Sequence, residues 1–71
     1  MTVIVTALFE AEKAVTNVVE DLVATGIPRD RIALDTDRKR VSVTTGEQAE
    51  PEIEEILSRH RPTEVDTRSI G

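Results

Sequence analysis

The chain has 71 residues, a net charge of −5 and no cysteine, which makes it one domain near the lower size limit for a self-sufficient core. Disulfides, thiolate metal sites and thiol chemistry are excluded, and the acidic balance opposes nonspecific attachment to nucleic acid or to an anionic membrane. With Phe9 as the sole aromatic, mechanisms that need stacking surfaces start from a deficit, and stability must come from packing, hydrogen bonds and self-association.

Residues 1–10 form the most apolar run and predict the first strand. Val3, Val5, Ala7 and Phe9 fall on one side of a period-two pattern, with Thr2, Ile4, Thr6 and Leu8 on the other. β-Branched residues dominate it, which suits a pleated backbone and penalises a helix. The run is too short to span a bilayer, which takes about 18 apolar residues or more. It also lacks the basic start and small-residue cleavage site of a signal peptide. A cytoplasmic location is the expectation.

The first helix is predicted over Glu10–Ala24, where Ala11, Ala14, Val15, Val18 and Leu22 recur at helical spacing beside Val19 and Val23. Glu10 and Glu12 suit the positive end of its dipole. Gly26, Ile27 and Pro28 compose its stop: a left-handed residue, an apolar residue that folds back, and one that forbids continuation. A second strand is predicted over Asp30–Thr36, with Ile32 and Leu34 inward and Arg31, Ala33 and Asp35 outward. After a polar turn, Arg40–Thr45 reads as a third strand with Val41 and Val43 inward.

A second helix is predicted near Gln48–Arg61, with Ala49, Ile53, Ile56 and Leu57 as its apolar stripe and Pro51 in its first turn. Glutamates crowd its start and Arg59, His60 and Arg61 its end, both matching the macrodipole. Pro62 stops it, and Thr63–Ser69 reads as a last, weakly apolar strand around Val65. The order is β-α-β-β-α-β. Right-handed crossovers then place strands one and three centrally and both helices on one face. The expected fold class is α+β: a single ferredoxin-like domain over residues 1–71, with an antiparallel sheet in the order 4-1-3-2.

The stretch Leu8–Val15, followed by Leu22–Pro28 and Asp30-Arg31-Ile32, resembles the small bacterial domain of general-stress and heat-induced stress proteins. Those sequences similarly run from a strand to an acidic, alanine-containing helix, a glycine-apolar-proline stop and a short strand. Ile56–His60 with Val65-Asp66 is similar to that domain's second half. The resemblance implies a stress-associated protein and supplies no catalytic residue.

His60 is the only histidine and reads as a helix-terminal residue that complements the dipole. One imidazole without cysteine does not make a transition-metal site, and Glu47, Glu50, Glu52, Glu54 and Glu55 lack the pattern of a calcium loop. No catalytic residue, metal or cofactor is assigned. RNA-recognition sheets stack bases on aromatics of the central strands, and none is present here on either. The expectation is a small non-enzymatic interaction or regulatory protein, with an ACT-like small-ligand sensor as the alternative. Its partner is a second copy or another protein, with no nucleic acid and no membrane. The candidate partner-binding residues are Ile4, Leu8, Arg31, Arg40 and Arg68 on the sheet face away from the helices, with Asp35 and Asp66 among them.

Overall fold

The computed structural model describes residues 1–70. Strand β1 spans Thr2–Leu8, helix α1 Glu12–Thr25, β2 Ile32–Asp35, β3 Arg40–Gly46, α2 Glu50–Arg59 and β4 Glu64–Ile70. The four strands form one antiparallel sheet in the order β2-β3-β1-β4. This is the ferredoxin-like β-α-β-β-α-β arrangement, with the expected strand order read from its other end. No helix is long and apolar enough to cross a membrane.

The period-two pattern of β1 divides the two faces of the sheet. Val3, Val5, Ala7 and Phe9 are buried with Val41 and Val43 of β3, and the helices close over them with Val15, Val18, Leu22, Ile53, Ile56 and Leu57. The α1 stop forms as its chemistry dictates. Gly26 takes φ +115°, its N–H donates to the Val23 carbonyl at 3.0 Å, and the Ile27 N–H donates to that of Leu22 at 3.1 Å. Those two bonds are a Schellman cap, and Ile27 packs against the core as the motif requires. A Cβ on Gly26 would touch nothing, so substitution there tests backbone strain alone. Gly26→Ala is expected to cost about 1–2 kcal/mol. Urea denaturation measures it, and unchanged stability would remove the conformational role of this glycine.

The structure corrects several local expectations. Helix α1 starts at Glu12 because Ala11 is extended (φ −121°, ψ 141°), so Glu10 lies outside the first turn. Residues Arg29–Arg31 form a 3₁₀ turn after Pro28, closed by the Arg31 N–H on the Pro28 carbonyl at 3.0 Å, and β2 therefore begins only at Ile32. A second 3₁₀ turn, Glu47–Ala49, precedes α2. That helix ends at Arg59, and the chain turns through Arg61 at φ 55° before Pro62.

Leu34 was expected inward, yet it is 49 % exposed. Its partner Val41 is fully buried, so Leu34 does lie on the helix-covered face. The helices stop short of this edge strand and leave it open. Val65 on the opposite edge strand, paired with buried Ala7, is 37 % exposed for the same reason. The helix layer is narrower than the sheet.

Candidate functional site

The uncovered face of the sheet is built from the alternate residues of each strand, and the register groups them in rows. One row is Asp35, Arg40, Leu8 and Glu64; the next is Ala33, Ser42, Thr6 and Asp66; a third is Thr44, Ile4 and Arg68. Four of the five candidate residues, Ile4, Leu8, Arg40 and Arg68, therefore share this face. Arg31 does not join them on a strand, because the 3₁₀ turn after Pro28 takes it out of the ladder.

Ile4 and Leu8 are half-buried, and they do not form one apolar patch. They sit four residues apart on β1, roughly 13 Å at about 3.3 Å per residue. Thr6 lies between them, and its hydroxyl is 3.1 Å from that of Ser42 in a side-chain hydrogen bond. Leu8 is walled by Arg40 and Glu64, and Ile4 by Thr44 and Arg68.

The charges on this face are largely engaged with one another. Asp35 accepts the Arg38 backbone N–H at 3.2 Å and lies 3.5 Å from the Arg40 guanidinium and 3.8 Å from that of Arg38. The basic turn after β2 is thereby tied down at its own strand end. Arg68 lies 3.6 Å from Asp66 two residues earlier on β4, with both side chains well exposed. Two adjoining depressions, of about 220 and 320 Å³, run along the face between β3 and β4. Thr6, Arg40 and Asp66 line both.

A second polar cluster joins the helices. His60 Nε2 is 3.0 Å from Asp21 Oδ2, and Arg59 reaches the same carboxylate at 4.0 Å and Glu55 at 3.3 Å. His60 thus does more than complement a helix terminus: it ties α2 to α1. Among the described residues, no group of three or more histidine or acidic side chains is placed to hold a metal ion.

Compared with protein-family models, with curated proteins and with solved structures, the chain matches none. Its topology is what places it among ferredoxin-like domains, and no family match accompanies the stress-protein resemblance. A fold shared by so many activities assigns none of them, so function has to be argued from surfaces.

Beside this face lies the edge strand β4. Its sequence reads as a weakly apolar strand over Thr63–Ser69; the observed strand is shifted by one residue, and all seven residues from Glu64 to Ile70 pair in register with β1. The two edges of the sheet differ in kind. Strand β2 has four residues and runs into a turn locked by Asp35, Arg38 and Arg40, both of which blunt an edge against pairing. Strand β4 is longer and carries no proline, with Ile70 43 % exposed on one face and Val65 on the other.

Proposed function

We propose that the chain is a small non-enzymatic interaction protein, regulatory in use and cytoplasmic, whose working form is self-associated. The observation that carries this reading is the β4 edge: seven residues in unbroken register with β1 on one side and open on the other. Such an edge is a template for another strand unless something covers it. Composition points the same way, since a core this small gains from oligomerisation.

The open face supports the reading less directly. Its arginines and carboxylates engage each other, and its two aliphatics are kept apart by hydroxyls, so it serves better as a flank to an interface than as its centre. The depressions between β3 and β4 lie at or below the lower end of the about 300–1,000 Å³ typical of ligand sites. That weighs against the small-ligand sensor. A stress-associated role is the corollary that the sequence resemblance supplies, and it adds no residue to the site.

Sedimentation equilibrium from micromolar to millimolar concentration tests the proposal. The expected result is a species of twice the 7.8 kDa chain mass that dissociates on dilution. A monomer across the whole range would overturn it.

A further inference from the structure

We infer that two copies of this chain join through their β4 strands, antiparallel about a twofold axis at Thr67, to make one continuous sheet. The inference rests on the self-association proposed above and adds to it the surface, the register and the residues that select both.

The direction of the backbone groups comes first. The Phe9 N–H donates to the Lys39 carbonyl at 2.9 Å, and the Glu47 N–H donates to that of Met1 at 3.0 Å. The odd-numbered residues of this stretch therefore turn their backbone groups toward β3. Successive residues of a strand point these groups to opposite edges, so Thr2, Ile4, Thr6 and Leu8 turn theirs toward β4. The Leu8 carbonyl indeed accepts the Thr63 N–H at 2.7 Å. Their partners Glu64, Asp66, Arg68 and Ile70 face inward in the same way. Val65, Thr67 and Ser69 are left with N–H and C=O directed away from the sheet.

A second β4 must meet those three residues with its own three. Under twofold symmetry the axis can fall at Asp66, Thr67 or Arg68 while keeping a substantial overlap. An axis at Asp66 pairs Glu64 with Arg68 of the second copy on both sides but sets the Asp66 carboxylate against its own copy, and an axis at Arg68 sets two guanidiniums together with no opposite-charge pair. Like charges directly opposite are destabilising. An axis at Thr67 sets Asp66 against Arg68 of the second copy, and the symmetry repeats the pair. Val65 then faces Ser69 of the second copy, Thr67 faces Thr67, and each of these pairs exchanges both of its backbone hydrogen bonds. Of the three registers, only the one centred on Thr67 has two opposite-charge pairs and no like-charge pair.

The strand is suited to this use in two further ways. The existing Arg68–Asp66 contact of 3.6 Å is solvent-exposed, so each carboxylate can lie between its own arginine and that of the second copy. Val65 is exposed on the helix-covered side because the helices stop short of β4, which leaves room for the incoming strand.

The test is charge reversal with rescue, read by sedimentation. Arg68→Asp alone and Asp66→Arg alone should each weaken the dimer by about tenfold or more, since each places like charges opposite in both symmetric pairs. Asp66→Arg combined with Arg68→Asp should restore it. Thr67→Pro removes an outward N–H on an edge strand, where proline is tolerated, and should abolish the dimer while circular dichroism keeps the fold. The chain has no cysteine, so Val65→Cys, Thr67→Cys and Ser69→Cys can be compared singly, and Thr67→Cys should cross-link fastest. Fastest cross-linking at 65 or 69, or failure of the double reversal to rescue, would overturn the register. A dimer that survives Thr67→Pro but is lost in Ile4→Lys with Leu8→Lys would overturn the β4 surface while leaving self-association standing. A monomeric wild type would overturn both.

Discussion

Replacing Phe9 with alanine is expected to leave the domain partly unfolded at moderate temperature. Phe9 is 5 % exposed and is the only aromatic in the chain. It continues the buried series Val3, Val5 and Ala7 beyond the end of β1, and its N–H is fixed on the Lys39 carbonyl at 2.9 Å. The backbone there cannot readily move to refill the volume of a lost ring. Phenylalanine-to-alanine changes in cores cost about 3–5 kcal/mol. A chain of 71 residues holds only about 4–10 kcal/mol in total, at roughly 0.05–0.15 per residue. The melting temperature should therefore fall by more than about 10 °C, since each kcal/mol is worth about 4–8 °C in a domain of this size. Phe9→Leu keeps most of the volume and should cost less than about 1.5 kcal/mol. A shift of a degree or two for the alanine variant would show that the core does not depend on this ring.

The elements that could be read from sequence are those whose signals are local. Val3, Val5, Ala7 and Phe9 announce a buried strand face by alternation alone, and Gly26-Ile27-Pro28 announces a helix end by backbone chemistry. Element order and handedness then fix the sheet. What sequence could not supply is how far each helix reaches sideways. Leu34 and Val65 alternate correctly onto the helix side and stay exposed, because cover is a property of the layer and not of the strand. Arg31 departs from its expected place on the second strand for a different reason. A three-residue 3₁₀ turn has no period to detect, and Pro28 before it signals a helix stop without revealing the turn that follows.

The candidate site divides in the same way. Ile4, Leu8, Arg40 and Arg68 follow from alternation and lie together as expected, whereas the Thr6–Ser42 hydrogen bond depends on the register between β1 and β3. The turn at Thr36–Lys39 is legible in sequence but joins β2 to β3, so it does not set the pairing of β1 with β3, which are separated by a helix and a strand. The contact between Asp21 and His60 joins residues 39 apart in sequence and depends on how two helices pack. The β4 edge is legible as a strand of the right length, one residue out of place, but its apolar pattern is weak. A strand covered on one face only by the end of a narrow helix layer has little reason to alternate strongly.

Leu57→Ala and Leu34→Ala make the same chemical change on the same side of the sheet, and they should differ by several-fold in cost. Leu57 is fully buried, whereas Leu34 is 49 % exposed. Helix α2 has ten residues, below the roughly 12–15 at which isolated helices become even marginal. It is therefore held by Ile53, Ile56 and Leu57, which lie in the core, with the His60–Asp21 contact at its end as a minor tie. Losing Leu57 should cost about 2–5 kcal/mol, and losing Leu34 only about 1 kcal/mol, because about half of its surface stays in water and no enclosed cavity is left. The first change should also be local in its early effect. Amide exchange in α2 should accelerate before exchange in β1 and β3, since a short helix that loses its anchor can open without the sheet. Equal costs for the two leucines would mean that α2 is held by its polar contacts. Exchange rising together in α2 and the central strands would mean that helix and sheet open as one unit.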